Sequence, residues 1–226
     1  MSNSGFKAHL CAYHSGVTGS KIIVVVDFPN GTVRRIMVDD GYFQERKYEQ
    51  LNYVNDINPK NIDAVLVTHS HIDHIGMLPK FVKDGYNNKI YMTKYAKQLC
   101  PDFLQDAANR QKENAKKLRK KHPEKKEVFQ SLYSKKDITE EKKLVKGLEY
   151  REEKEILPGI KVTFFENGHL LGAAMIWLRI SCEGMEDINF FFTGDYKLKN
   201  CFYPVPEIPE EVKKKPLITI HESTNG

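Results

Sequence analysis

The stretch Thr68-His69-Ser70-His71-Ile72-Asp73-His74 sets three imidazoles and a carboxylate within six residues. It follows an apolar block rich in β-branched residues, Ile62 to Val67, that reads as a buried strand, and Gly76 to Lys83 then reads as a helix start. The histidines therefore fall at a strand-to-helix turn. Side chains two apart at a strand end project to the same side, so His69 and His71 can share one ion while Asp73 and His74 turn toward a second. Nitrogen and oxygen donors in this mixture suit zinc. The competing reading is a polar loop with chance histidines. With eight histidines in the whole chain, three of them in six residues favour a ligand role.

Working outward, ligand-type residues recur wherever a strand is expected to stop. Lys21 to Val26 and Thr32 to Val38 form a hairpin about Asn30-Gly31, and the second strand ends in Asp39-Asp40-Gly41. That acidic pair either opens a turn or buttresses metal ligands from behind. Ile160 to Phe165 reads as a strand leading to Asn167-Gly168-His169, and Gly172, Ala173 and Ala174 allow close backbone approach beside His169. Ala174 to Ser181 is another strand. Ile188 to Thr193 ends in Gly194-Asp195, and Leu217 to His221 ends at Glu222. Asp39, His69 with its neighbours, His169 and Asp195 thus gather where buried strands end, as a shared site at one edge of a sheet sandwich requires.

Between these β-rich parts the chain changes character. Glu45 to Asn55 looks helical, Lys89 to Met92 is a short strand, and Tyr95 to Leu104 is a helix. Asp106 to about Lys126 is long, polar and helical up to His122-Pro123, and Thr139 to Lys146 is a second helix. Low apolar content predicts a helical excursion over the sheet edge at about 95–155. Its basic run from Arg110 to Lys126 is either a solvated helix face or a contact for a polyanion. His122 reads as a surface residue.

A chain of 226 residues with 40% hydrophobic content can bury one substantial core. The longest aliphatic run, Ile22 to Val26, is too short to span a bilayer and no opening segment resembles a signal peptide, so a cytoplasmic protein is expected. Cys11, Cys100, Cys182 and Cys201 are widely spaced and read as reduced thiols. The net charge of +5 is modest.

His69, His71, Asp73 and His74 meet the HxHxDH signature, and in this the chain resembles the metallo-β-lactamase superfamily. More narrowly it is similar to the β-CASP ribonucleases, a group that includes the endonuclease of messenger RNA 3′-end processing. The narrower likeness rests on Gly16-Val17-Thr18-Gly19-Ser20, Asp39-Asp40-Gly41-Tyr42-Phe43-Gln44, Gly168-His169-Leu170-Leu171-Gly172-Ala173-Ala174, Phe192-Thr193-Gly194-Asp195-Tyr196 and Glu222-Ser223-Thr224-Asn225-Gly226.

The resemblance implies an α/β fold, the metallo-β-lactamase αββα sandwich, here incomplete, with the β-CASP domain and closing strands absent. It implies two zinc ions: His69, His71 and His169 on one, Asp73 and His74 on the other, and Asp195 bridging. Asp39 would stand behind the histidines, and Glu222 would pair with a histidine that helps protonate the leaving oxygen. Asn225 stands where the family has tyrosine. The implied activity is zinc-dependent hydrolysis of RNA phosphodiester bonds by a metal-bridged hydroxide, with single-stranded RNA as partner. Catalytic roles would then fall to Asp73, Asp195, Glu222 and Asp39. Two other readings are a hydrolase of a small thioester or ester on the same site, and an inactive scaffold from an RNA-processing factor. A chain ending at Gly226 reads as the amino-terminal portion of a longer nuclease, and the sheet edge so exposed invites pairing into a homo-oligomer.

Overall fold

The computed structural model describes residues 6–12, 17–54, 57–125, 129–197 and 207–222. Strands β1 (Lys7–Ala12), β2 (Ile22–Asp27), β3 (Val33–Val38), β4 (Ala64–Leu66), β5 (Lys89–Thr93) and β6 (Val145–Leu148) lie side by side in chain order. The first three form an antiparallel meander, and β3 to β6 run parallel. A second sheet holds β7 (Lys154–Leu157), β8 (Ile160–Glu166), β9 (Ala174–Ile180), β10 (Ile188–Phe192) and β11 (Ile218–Ile220). It is antiparallel apart from the β10–β11 pair. Helices α1 (Ile72–Ile75), α2 (Leu78–Lys83), α3 (Lys94–Lys121), α4 (Lys135–Leu144) and α5 (Glu210–Lys213) complete the described elements.

The two-residue period of the strands sorts their side chains into layers. Val24, Val26, Ile36, Val38 and Leu66 of the first sheet meet Ile160, Val162, Phe164, Ile176, Leu178, Phe190 and Phe192 of the second in one buried cluster. The alternate residues Ile23, Met37, Val65, Ile90 and Met92 point the other way and pack with Ile75, Leu78, Phe81, Cys100, Leu104 and Ile138 of the helices. On the far face of the second sheet, Phe165, Met175, Trp177 and Phe191 enclose Val212 of α5. Helices, sheet, sheet, helix is the four-layer order expected from the sequence. Each fully buried aliphatic or aromatic side chain in these clusters contributes roughly 1.5–3 kcal/mol of transfer free energy.

The helical excursion differs from its expectation. The two helices predicted from Tyr95 onward are one continuous helix, Lys94–Lys121, that runs through Pro101. Proline removes one intrahelical hydrogen bond, and burial of Ala96, Cys100, Leu104, Ala107 and Ala108 on one stripe offsets that cost. α3 and α4 therefore cover the outer face of the first sheet as core elements. The last part of the 95–155 range supplies strands, β6 to the first sheet and the start of β7 to the second. Among the described residues of Glu45 to Asn55, a 3-10 turn at Glu49–Tyr53 takes the place of the expected helix. Gly16, Cys201 and Ser223 to Gly226, with Asn225, lie outside the described residues. Among the described cysteines Cys11, Cys100 and Cys182 are free, and no described helix is long and apolar enough to cross a membrane.

Candidate metal centre

The ends of β3, β4, β8, β10 and β11 open onto one edge of the sandwich, where an α/β sheet usually presents its ligand site. Asp39 follows β3, His69 follows β4, His169 follows β8, Asp195 follows β10 and Glu222 follows β11. The sheets are tied at this edge by the backbone N–H of Ala174, which donates to the Thr68 carbonyl at 2.8 Å. His71 is the residue before α1, so Asp73 and His74 sit in that helix's single turn. The helix thus starts inside the histidine motif, earlier than expected.

One nitrogen from each of His69, His71 and His169 and one oxygen of Asp195 lie within 4.8 Å of one another. His71 Nδ1 is 3.1 Å from both His69 Nε2 and His169 Nε2, and Asp195 Oδ2 is 3.8 Å from the same two Nε2 atoms. These separations bracket the ~3.4 Å edge of a tetrahedron whose corners lie about 2.1 Å from its centre, the distance typical of zinc–nitrogen bonds. Burial, reinforced by the neighbouring imidazoles, pushes His69 well below the ordinary histidine value. Burial also lowers His71 and His169. Neutral imidazoles with lone pairs turned inward fit a cation at the centre of the group.

Asp195 reaches in a second direction. Its Oδ1 is 3.4 Å from His74 Nε2, which is 4.0 Å from Asp73 Oδ2. All the expected metal-binding side chains are thus brought together, with Asp195 between the two sets. Burial alone would lower His74, yet the carboxylates of Asp39 and Asp195 outweigh it and raise it to about 10. For Asp195, burial acts upward, but the hydrogen bond and charge of His74 hold it below the usual carboxylate value.

Asp39 stands behind the histidines, 2% exposed and at a φ of 60°. Its Oδ1 accepts the Thr68 N–H at 2.8 Å, while Oδ2 accepts the Thr68 hydroxyl at 2.8 Å and faces His74 Nδ1 at 2.8 Å. A carboxylate can only accept, so His74 carries a proton on Nδ1. The Thr68 hydroxyl, having given its proton to Asp39, accepts from His69 Nδ1 at 3.1 Å. The tautomer of His69 and the ring orientation of His74 are thereby fixed, each with Nε2 toward Asp195. A left-handed backbone at a non-glycine residue costs on the order of 1–3 kcal/mol, and these contacts hold it in place.

Two positioning residues carry no sequence signal. Thr68 is one; the other is Asn167, wholly buried, whose amide donates to the carbonyls of Thr193 at 3.2 Å and Asp195 at 2.8 Å. Its Oδ1 accepts the His169 N–H at 3.1 Å, so one side chain sets the spacing of both second-sheet donors. Gly172, at a φ of 86°, would put a Cβ 2.5 Å from the Ala96 nitrogen. Its carbonyl accepts the Thr93 hydroxyl at 2.7 Å, and that hydroxyl also caps α3 by accepting the Ala96 N–H. The His169 loop is thereby docked on the start of the long helix.

Beside the cluster lies a cavity of about 370 Å³ lined by Asp39, Thr68, His74, Asp195, His221 and Glu222 among others. Glu222 accepts the Tyr196 N–H at 3.1 Å. Strand alternation would point His221 away from Glu222, but β11 ends at Ile220 and both residues line the cavity.

The description "Metallo-beta-lactamase superfamily" matches this chain over residues 16–212. The Methanosarcina mazei protein named transcription termination factor FttA is 34% identical over 72% of this chain and 24% of its own. Ribonuclease TTHA0252 of Thermus thermophilus is 30% identical over 63% of this chain and 29% of its own. The endoribonuclease YSH1 of Gibberella zeae is 29% identical over 85% of this chain and 21% of its own. Two of these relatives are thus named ribonuclease or endoribonuclease. The chain spans between a fifth and a third of the length of each.

Proposed function

Because this chain belongs to the metallo-beta-lactamase superfamily, we propose that the cluster at its sheet edge is the zinc centre of a ribonuclease that hydrolyses RNA phosphodiester bonds. The observation that carries the reading is the convergence of His69, His71, His169 and Asp195 within 4.8 Å, in a chain whose relatives include proteins named ribonuclease and endoribonuclease. Nitrogen-rich donors favour zinc over magnesium or calcium. His69, His71 and His169 would hold one ion and Asp73 and His74 the other, with Asp195, whose two oxygens are turned toward different histidines, available to both.

Zinc, when bound, supplies Lewis acidity that lowers the pKa of water and offsets charge on a phosphoryl group. The chain's own part is preorganisation. Asp39 holds the His74 ring through Nδ1, and Thr68 holds the His69 ring, so neither must reorient for the reaction. Asn167 keeps His169 and Asp195 in register. Asp39 and Asp195 raise His74 to about 10 against the effect of burial, so an ion held there would have to displace the Nε2 proton. Glu222 lines the cavity beside His74 and is assigned to the leaving group in this reading. Single-stranded RNA is the partner this reading assigns.

Native mass spectrometry of the wild type and of His69→Ala tests the centre. Two zinc ions per chain, falling to one or none in the variant, are expected. The reaction class is tested by offering labelled RNA and a thioester side by side to the zinc-loaded chain. Hydrolysis of the thioester alone would overturn the ribonuclease assignment and leave the metal centre standing.

A further inference from the structure

The long helix begins at the metal centre and ends far from it. Its Phe103 ring, 37% exposed, stands 6.4 Å from the His71 ring at an interplanar angle of 75°. Phe103 is the exposed aromatic that touches the donor cluster, and its side chain is not absorbed by either core. At about 100° per residue, Arg110, Asn114, Lys117 and Lys121 fall within ~60° of Phe103 around α3, in one stripe that climbs ~27 Å along the axis. All of them are exposed. Arg110 pairs with Asp106 on the surface, an attraction worth little in water; Lys117 and Lys121 make no ion pair among the described residues. A favourable dipole explains cations in the last turn of a helix, but not Arg110 or Lys117 aligned with an aromatic ring at the centre.

A second basic surface supplies the contrast. Lys112, Lys116, Arg119 and Lys120 line a groove of about 560 Å³ with Pro123 and Ser131. These residues lie roughly 100–180° around the helix from Phe103. They face away from His71.

Resting on the ribonuclease reading, we propose that the Phe103 stripe is the track that positions single-stranded RNA: a base stacks on Phe103 beside the metal centre, and the backbone leaves along Arg110, Asn114, Lys117 and Lys121. An aromatic platform followed by spaced cations is how sequence-tolerant single-strand binding is built. The groove on the opposite flank takes no part.

The test uses the zinc-loaded full chain and a fluorescent oligouridine of about ten nucleotides, followed by anisotropy. Lys117→Glu with Lys121→Glu is expected to weaken binding about tenfold or more and to flatten the salt dependence by roughly 0.7 in slope for each phosphate left without its cation. Lys112→Glu with Lys116→Glu, the same change of charge on the other flank, is expected to alter affinity by about twofold or less, since charges beyond ~8 Å are screened at physiological salt. Phe103→Ala should weaken binding, and Phe103→Trp should restore it, at unchanged zinc content. Photocrosslinking with 5-iodouridine should label position 103. Equal loss from both lysine pairs, or a crosslink elsewhere, would overturn the track and leave the ribonuclease reading intact. No binding of RNA by a zinc-loaded chain would overturn both. Competition by poly-glutamate as strong as by RNA would make the stripe a surface for an acidic protein and would also end the proposal.

Discussion

Two buried carboxylates, Asp39 behind the candidate metal centre and Glu141 on the buried face of α4, are 2% and 1% exposed and have opposite surroundings. Asp39 accepts from a backbone N–H, a hydroxyl and an imidazole. Glu141 has a buried Oε1 with no hydrogen-bond partner, and burial pushes it up to about 8. Burial alone therefore leaves a carboxyl neutral over most of the working pH range, whereas donors supplied by neighbouring loops give a buried carboxylate a task. The first is part of the site; the second is a packing residue that tolerates a proton.

The most direct challenge to this difference is at Asp39. Asp39→Ala strands the Thr68 N–H and hydroxyl and leaves the buried His74 imidazole with Asp195 as its remaining carboxylate partner; it is expected to cost about 3 kcal/mol, read by urea or thermal unfolding. A loss below ~1 kcal/mol would mean that the hydrogen bonds to Asp39 are incidental. Glu141→Gln should act in the other direction. The folded-state value of Glu141 lies above its ordinary 4.5, so the folded chain binds a proton that the unfolded chain releases. Stability from this group is present below pH 4.5 and falls as pH rises toward about 8, on the order of 1 kcal/mol per pH unit. The glutamine variant should remove that slope, and an unchanged slope would assign it elsewhere.

Asp39→Asn keeps the shape, removes the charge and turns one of the two accepting oxygens into an NH2 donor. It forces His74 to find another tautomer and is expected to weaken metal binding about 10–100-fold, measured by competition with a chromophoric chelator. Wild-type affinity in this variant would show that charge behind His74 is dispensable. Thr68→Val, which removes only the hydroxyl between Asp39 and His69, is expected to cost about 1 kcal/mol. Asn167→Ala should compromise the second-sheet donors more than Thr68→Val does, visible as a larger drop in zinc content at equal stability loss.

The side chains of the candidate site were legible because they are carried by local signals: a dense histidine motif and acidic or histidine residues directly after β-branched runs. The strand ends were read to within a residue or two, and the layer order followed from the family resemblance. What could not be read depends on contacts across the fold. Thr68 looks like any strand-end threonine until Asp39 is placed beneath it, and Asn167 looks like a turn residue. Glu141 sits within Thr139-Glu140-Glu141-Lys142-Lys143, a sequence indistinguishable from a solvated helix face. The division between Leu104 and Asp106 does not exist in the fold, because a stripe of buried alanines and Leu104 carries one helix across it. Low mean apolarity also hid that α3 belongs to the core, since small residues such as Ala107 and Ala108 bury without raising hydrophobic content much.

The Asp39–Thr68–His69–His74 arrangement is drawn from between residues 39 and 74 and rests on β3, β4 and α1 alone. His169 and Asp195 come from the ends of β8 and β10 in the other sheet. The candidate site is therefore divided along the seam between the sheets, and a substitution that loosens the second sheet should displace His169 and Asp195 while sparing the orientation of His69 and His74.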